Sequence, residues 1–279
     1  MVTFTYLQLI CLAWLLLLAW SVFIEPLWIE LTVHEVSIPN LPPELEGLRV
    51  AFISDTHCGA WARRYHYDRA WHLLVPTEPD ILLIGGDIVV NHARPNWSCD
   101  LRGLRDWNPP LGKFAVLGGH DRIFGPQRVQ ASLQALGITL LDNQSISFTR
   151  QGCTWWLTGL ADNSDLPIET DATKALAGVP DGDTAIALVH SPDFVLAPEA
   201  ARFSLVLSGH THAGQVRLPW LGAILCVTEL PRQHDHGLSL YKGIRLFVSR
   251  GLGCTVRLRL CCRPEVSLIT LRGVSKDQQ

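Results

Sequence analysis

The chain opens with an uninterrupted apolar stretch. No charged side chain occurs from Met1 to Ile24, and the run from Leu9 to Trp20 is almost entirely apolar. Because about 20 apolar residues span a bilayer core, the pattern predicts one transmembrane helix over residues 1–25. A cleaved signal peptide is the alternative, but such peptides normally carry a basic n-region and a shorter apolar core. We favour a single-pass anchor in the cell (inner) membrane. No Lys or Arg lies near either end of the helix, so its orientation stays open.

A proline-rich segment separates this helix from a region of alternating strands and helices. Residues 26–47 contain four prolines, which exclude a long helix and predict a short strand and a linker. We predict helices over about 67–75 and 126–136. Strands are predicted over 49–53, 81–84, 114–117, 154–158, 185–189, 205–207, 244–248 and 266–269. The alternation is typical of a layered α/β domain, which we place at residues 48–272, before a loose tail at 273–279.

Side chains able to bind metal follow five of these strands. They are Asp55 and His57, then Asp87, then His120 and Asp121, then His190, and last His210 and His212. In open α/β sheets, ligands bind outside the carboxyl ends of the strands, where all of these residues fall. Each residue alone could cap a helix or lie in the core, but their recurrence favours a shared site. Imidazoles with carboxylates suit divalent ions such as Mn, Fe or Zn.

The order of these residues resembles that of calcineurin-like metallophosphoesterases. The motifs are Asp55-x-His57, Gly86-Asp87, Gly118-Gly119-His120-Asp121, His190 and Gly209-His210-x-His212, and the similarity covers roughly residues 47–271. Residues 249–253 and 263–265 look like the membrane-associated bacterial phosphodiesterase branch of that family. The resemblance implies an α/β fold, a four-layer α/β/β/α metallophosphoesterase sandwich with a dinuclear metal site, here preceded by one N-terminal transmembrane helix.

The resemblance also implies a role for each residue. The ligands divide between two metal ions, with Asp55, His57 and His212 on the first, His190 and His210 on the second, and Asp87 bridging both. Two ions would lower the pKa of a shared water, whose hydroxide would attack the phosphorus, and would bind the phosphoryl oxygens. His120 would donate a proton to the leaving oxygen, and Asp121 would orient the His120 imidazole.

Gly119 departs from the family pattern, in which asparagine usually supplies a ligand to the second metal. A water or Asn91 could fill that position, or the second metal could bind weakly. Because the other ligand positions and His120 are all present, we expect an active enzyme with a weakened second site. The alternative is a catalytically weakened metal-binding protein on the same fold.

Composition and motif order exclude other classes of function. The chain has 23 basic and 26 acidic side chains, which argues against nucleic-acid binding through a basic face. Its eight cysteines show no repeating spacing and no Cys-x-x-Cys pair, so neither a disulfide framework nor a zinc pair of that kind is indicated. Amidohydrolases also use His-x-His, but there the pair comes first, whereas here Asp55-x-His57 precedes it.

The expected substrate is a phosphodiester or pyrophosphate held at the membrane. Candidates are a phospholipid, a lipid of the UDP-diacylglucosamine type and a cell-wall phosphodiester, and the sequence does not choose among them. Trp61, Arg63, Arg64 and Tyr65 are predicted to lie on a loop that contacts phosphate and lipid, or else to form an ordinary surface loop. Cys58, next to His57, is expected to be a packed, inert thiol.

Overall fold

The N-terminal apolar stretch forms one long helix. A computed structural model describes residues 2–62, 64–90, 92–94, 96–161 and 170–274. In it, α1 (Val2–Ala19) continues into a π-helical turn (Trp20–Ile24) and a 3-10 turn (Glu25–Leu27). The span Tyr6–Leu27 has 22 residues, and an 18-residue window within it reaches a mean hydropathy of 2.4, so by length and composition it could cross a membrane or form a signal sequence. The predicted apolar helix is confirmed, whereas the single pass through an inner membrane stays a prediction.

Six strands form the first sheet. In sheet order they are β1 (Glu30–Ile38), β14 (Glu265–Gly273), β2 (Arg49–Ile53), β3 (Ile81–Ile84), β4 (Lys113–Ala115) and β5 (Thr139–Leu140). Strands β2 to β5 are parallel, while β14 runs antiparallel to β2 and parallel to β1. The carboxyl ends of β2, β3 and β4 therefore lie at the same edge of this sheet.

Six further strands form the second sheet. In sheet order they are β12 (Gly237–Tyr241), β13 (Ile244–Val248), β9 (Leu205–Ser208), β8 (Thr184–Leu188), β7 (Cys153–Gly159) and β6 (Gln144–Arg150). The inner strands β13, β9, β8 and β7 are parallel, and the two edge strands are antiparallel to their neighbours. Separate from both sheets, β10 (Arg217–Leu218) and β11 (Gly222–Ala223) form a small hairpin.

A continuous apolar layer lies between the two sheets. Alternate side chains of a strand face opposite ways, so Val50 and Phe52 of β2 face the second sheet, while Ala51 and Ile53 face the other side. Phe52 and Phe247 of β13 meet edge to face, with ring centroids 5.9 Å apart. Both phenylalanines are fully buried, so the inter-sheet layer is closed to solvent at this point.

Helices cover the outer faces of both sheets. Helices α2 (Arg64–Leu74) and α4 (Pro126–Gln134) pack on the first sheet, while α5 (Ala172–Leu176) packs on the second together with the 3-10 turns Pro192–Leu196 and Pro198–Arg202. A short helix, α3 (Gly119–Phe124), follows β4. The predicted α/β/β/α sandwich is confirmed, although 3-10 turns make up much of its last layer.

The short strand predicted within residues 26–47 is a full strand of the first sheet. β1 pairs with β14 along nine residues, from Glu30 opposite Glu265 to Ile38 opposite Gly273. The prolines flank this strand, so they bound it without removing a hydrogen-bond donor from its interior. The first sheet thus begins before residue 48. The domain boundaries at 26, 48 and 273 stay predictions, and residues 275–279 of the predicted loose tail lie outside the described residues.

The predicted loop around residues 61–65 is partly helical. α2 begins at Arg64, three residues before its predicted start, and Arg64 Nε lies 3.1 Å from Asp68 Oδ2 one turn later. An ion pair at this spacing supports the first turn of a helix. Tyr65 is helical as well, and Arg63 lies outside the described residues.

Replacing Phe52 with alanine should open a cavity between the sheets. We expect Phe52→Ala to lower the free energy of unfolding by about 3–5 kcal/mol. Leu240→Ala, at an exposed position of β12, should change it by less than about 0.5 kcal/mol. Denaturant unfolding of the detergent-solubilised chain measures both values, and equal losses would contradict a core centred between the sheets.

Candidate functional site

Two histidines and one aspartate at the ends of β2 and β9 form a tight group of donor atoms. His57 Nε2 and His212 Nε2 lie 3.0 Å apart, and His212 Nε2 lies 3.4 Å from Asp55 Oδ1. The two imidazoles are stacked, with ring centroids 5.0 Å apart. Donor atoms of all three residues lie within 4.8 Å of one another, as metal ligands do. This is the set predicted for the first metal.

A second group combines Asp55 and Asp87 with His190. His190 Nε2 lies 3.4 Å from Asp87 Oδ2, and donor atoms of the three residues again lie within 4.8 Å. His190 Nδ1 lies 2.8 Å from Gly85 O, and because a carbonyl only accepts, Nδ1 carries the hydrogen. This tautomer leaves the lone pair on Nε2, the atom 3.4 Å from Asp87 Oδ2, where it could bind a metal.

His210 joins this region through its ring and its backbone. Its ring centroid lies 5.1 Å from that of His190, and its backbone N–H donates to the Asp55 carboxylate at 3.1 Å. Among the described residues, the groups of donor atoms within 4.8 Å hold the other five predicted ligands but not His210. The role of His210 as a ligand therefore stays a prediction.

His120 lies beside both groups. Its donor atom lies within 4.8 Å of those of His57 and Asp87, and its backbone N–H donates to Asp87 Oδ1 at 3.1 Å. The His57 and His120 rings meet edge to face, with centroids 5.1 Å apart. In the described part of the chain, His120 Nδ1 is buried and has no hydrogen-bond partner.

Backbone groups surround the Asp121 carboxylate. The buried carboxylate accepts three backbone hydrogen bonds, from Ile88 at 3.1 Å, Val89 at 2.8 Å and Gly118 at 3.0 Å. Consecutive residues of a helix point in different directions. Asp121 thus ties the segment after Asp87 to the start of α3, and its predicted orientation of His120 stays a prediction.

The candidate ligands share an uncommon backbone conformation. Five of them have positive φ angles, namely Asp55 (52°), His57 (45°), Asp87 (48°), His210 (69°) and His212 (48°). Residues other than glycine rarely adopt this region, although Asp and His do so more often than most. At each of these positions the chain changes direction shortly after a buried strand. The donor residues therefore stay close to the sheet edge.

Gly209 permits the closest approach between these loops. A Cβ at this position would overlap Ser54 Oγ and Asp55 Oδ2. Only a residue without a side chain therefore lets the backbone after β9 lie against Asp55. That contact places the His210 N–H within reach of the Asp55 carboxylate.

Burial sets the protonation of the site. It lowers the pKa of His57 to about 3 and that of His212 well below its usual value, so both imidazoles are neutral, as metal ligands must be. Burial raises the pKa of Asp55 to about 7 against the opposing effect of His190. Burial also acts to raise the pKa of Asp87, but His190 and His57 bring it below its usual value.

This donor set fits a divalent cation. Neutral imidazoles and closely spaced carboxylates are the ligands that Mn, Fe and Zn share. The charges of Asp55 and Asp87 repel each other in a buried site, and a cation between them would remove that penalty. The residues present therefore fit the metal centre that the sequence motifs imply.

Arg259 is a buried site residue that the sequence analysis missed. It is fully buried, and its guanidinium donates to the carbonyls of Arg250, Gly251 and Gly253 at 2.8–3.1 Å. One terminal nitrogen also lies 3.4 Å from His212 Nδ1. Arg259 thus holds the loop after β13 against His212. It lies in a stretch where apolar and basic residues alternate, a pattern typical of an exposed strand, so no sequence signal marked it.

Residues next to the first motif have structural partners. Trp61 Nε1 donates to Cys254 O at 2.9 Å, and Arg64 pairs with Asp68. Cys58 is buried, and burial raises the pKa of its thiol, in agreement with an inert role. Contact of this segment with substrate stays a prediction. Asn91, the suggested substitute ligand, lies outside the described residues.

A cavity of about 790 Å³ adjoins the site at His210. Its polar lining includes Ser191, Asp193, Thr228 and Glu229. A cavity of this size can hold a small-molecule ligand or the polar part of a larger one.

Replacing Asp121 should weaken metal binding without touching a ligand. We expect Asp121→Asn to lower the affinity for Mn²⁺ by about 10–100-fold, because residues that support metal ligands have effects of this size. Titration of Mn²⁺ into the metal-stripped protein measures the affinity, with Asp142→Asn at the protein surface as the control. Unchanged Mn²⁺ affinity with a reduced catalytic rate would instead favour the role predicted from the sequence, in which Asp121 orients the His120 imidazole.

Comparisons with known proteins agree with this geometry. Residues 48–214 match the calcineurin-like phosphoesterase family. The chain is 28% identical over 267 residues to the uncharacterized metallophosphoesterase YkuE of Bacillus subtilis (strain 168), covering 91% of this chain and 89% of that protein. It is also 28% identical over 258 residues to the phosphodiesterase YaeI of Escherichia coli (strain K12), covering 89% and 90%.

A vertebrate relative carries the same domain in a longer chain. The transmembrane protein with metallophosphoesterase domain of Danio rerio is 28% identical over 253 residues, covering 85% of this chain and 56% of that protein. The family match spans more than half of the chain and contains all of the converging donor residues. The chain therefore belongs to the calcineurin-like phosphoesterase family and is a metal-binding hydrolase of phosphoester bonds.

Proposed function

We propose that this protein is a membrane-anchored phosphodiesterase or pyrophosphatase whose substrate is itself held at the membrane. One observation carries the proposal: a single segment contacts both the anchor and the metal-binding groups. The Arg259 backbone N–H donates to Ser21 O at 2.9 Å, while the Arg259 guanidinium reaches His212. The reaction centre is thus fixed close to the end of the apolar helix.

Two divalent ions, of Mn, Fe or Zn, are proposed as the cofactors. Asp55, His57 and His212 would hold one ion, and Asp87 would bridge to a second ion that also takes His190 and His210. When bound, the ions supply positive charge that polarises the phosphoryl oxygens and activates the attacking water. The remaining steps fall to the side chains of this chain.

His120 is proposed to protonate the leaving oxygen. Its imidazole lies at the edge of the metal-binding groups, and its backbone is fixed by the hydrogen bond to Asp87. Histidine is the side chain that most often donates or accepts a proton as a general acid or base. Asp121 would act indirectly. Its carboxylate accepts hydrogen bonds from both sides and so holds the segment after Asp87 against the start of α3.

Contacts at the end of the apolar helix support an anchor that is retained. Ser21 and Glu25 are buried, and Glu25 Oε1 accepts the Cys262 backbone N–H at 2.5 Å. Trp20 Nε1 donates to the other Glu25 oxygen at 2.9 Å. Cleavage after this helix would remove partners from the folded domain. We therefore propose a single-pass protein of the inner membrane.

The cavity beside His210 supports a substrate with a polar head group. Its lining includes hydroxyl and carboxylate side chains, which could bind the polar groups of a substrate. A phospholipid, a UDP-diacylglucosamine-type lipid or a cell-wall phosphodiester would each present a polar phosphoester to this cavity. The relative YaeI is named a phosphodiesterase. That name agrees with the phospholipid and the cell-wall phosphodiester, which are both diesters.

Gly119 supports a second candidate, a metal-binding protein with little catalytic activity. Gly119 is the first residue of α3 and is buried, and it offers no side chain to the second metal. The second ion would then depend on Asp87, His190 and His210. Metal content and turnover distinguish the two candidates.

Turnover should require metal and the predicted ligands. We expect the metal-stripped full chain to hydrolyse bis-p-nitrophenyl phosphate only after Mn²⁺ is added. His212→Asn should lower the Mn²⁺ affinity at least about 10–100-fold, whereas His72→Asn, at an exposed position of α2, should change nothing. Absorbance at the nitrophenolate band and metal analysis measure the effects. A chain that holds one ion or none and shows no turnover would support the second candidate.

His120 should matter most for poor leaving groups. We expect His120→Asn to lower the rate by about 10²–10⁴-fold for a diester with an alkyl leaving group. The loss should be smaller with p-nitrophenolate, which leaves without a proton. Parallel assays of the two substrates at saturating Mn²⁺ measure the ratio, and equal losses would argue against His120 as the general acid.

A further inference from the structure

The hairpin after His212 carries exposed apolar side chains. We define the apolar hairpin as residues 217–227, which include β10, β11 and the segment that follows. Trp220 is completely exposed (103%) and Leu225 is 79% exposed, and other large apolar side chains of the hairpin are also exposed, namely Leu218, Leu221, Ile224 and Val227. Exposed apolar residues grouped in this way mark a surface that binds a partner or a membrane.

The backbone holds Trp220 outward. Its φ angle is 63°, a conformation that bulky residues rarely adopt, and the Leu221 N–H closes the turn onto Pro219 O at 2.8 Å. The base of the hairpin is packed tightly, because a Cβ at Gly214 would overlap the carbonyl oxygen of Leu225. The backbone of the hairpin therefore keeps its tip exposed.

One extended segment connects the hairpin to the anchor. Val216 and Leu260 form a β-bridge, and the Arg217 N–H donates to Leu260 O at 2.9 Å. The neighbouring Arg259 N–H donates to Ser21 O, within the apolar span that ends at Leu27. The base of the hairpin therefore lies about two strand spacings, roughly 10 Å, from Ser21, which is six residues before the end of that span.

Arginines at the same end of the anchor suit an anionic lipid surface. The Arg257 guanidinium lies 5.5 Å from the ring centroid of Phe23, and that of Arg263 lies 4.3 Å from the ring centroid of Trp28. Arginine stacked on aromatic rings at the end of a membrane span can keep its charge at the level of the lipid head groups. Anionic lipids attract such basic residues.

We propose that the apolar hairpin is a second membrane contact, which inserts Trp220 and Leu225 into the head-group region of the leaflet where the anchor ends. The inference rests on the proposed anchoring through α1. Tryptophan is enriched at this depth of a bilayer because its ring is apolar and its N–H is polar. Val227 lines the cavity beside His210, so the inserted hairpin would hold the cavity next to the lipid head groups.

Photo-crosslinking of the full chain in lipid nanodiscs tests this contact. The nanodiscs contain phosphatidylcholine and phosphatidylglycerol, and p-benzoylphenylalanine replaces one residue at a time: Leu225 in the hairpin, Leu15 in the anchor, or Leu240 in β12. Leu240 is the matched control, because it is also apolar and exposed (59%) but lies at the edge of the second sheet. All three positions are exposed, so the substitution does not disturb the core.

We expect phospholipid adducts, identified by mass spectrometry, at positions 15 and 225 and none at 240. Adducts at position 15 without adducts at 225 would overturn the hairpin contact and leave the anchor intact. Absence of adducts at position 15 would overturn the anchoring and with it this inference. Crosslinks from position 225 to a second copy of the chain, in place of lipid, would assign the hairpin to a protein interface and overturn the membrane contact.

Discussion

The loops that carry the metal-binding residues hold one another in place. The Asp55 N–H donates to Gly86 O at 2.9 Å, the His57 N–H donates to Asp87 O at 3.0 Å, and the His210 N–H donates to Asp55. A residue held in a sparsely populated backbone region costs of order 1–3 kcal/mol, and such bonds between loops offset the cost. The donor groups therefore form one cooperative unit, in which displacement of one loop moves ligands carried by another.

The sequence was most informative where a strand is buried on both faces. Strands such as β3 and β8 are runs of consecutive apolar residues, and the polar residue that ends each run marks the sheet edge. The layer order and the division of ligands between two metals came from the family resemblance, because no local pattern encodes them. Edge strand β1 is half exposed and flanked by prolines, so its pattern was weaker and its length was underestimated.

Tertiary contacts explain two features of the site that sequence reasoning did not predict. Asp121 follows His120 in the chain, so the sequence suggested that the two side chains act together. In the structure, the Asp121 carboxylate accepts hydrogen bonds from backbone N–H groups of the loop after β3. Arg259 was missed because its partners are carbonyl groups, which any residue type supplies. A buried guanidinium bound by backbone leaves no matching acidic residue in the sequence to indicate it.

The position of β14 has a consequence for synthesis of the protein. β14 lies between β1 and β2 in the first sheet, yet it follows every other strand in the chain. While the ribosome is still translating the chain, β1 lacks its partner, and β2 lacks one neighbour. The sheet closes only after residues 265–273 have emerged from the ribosome, so this side of the domain is completed last.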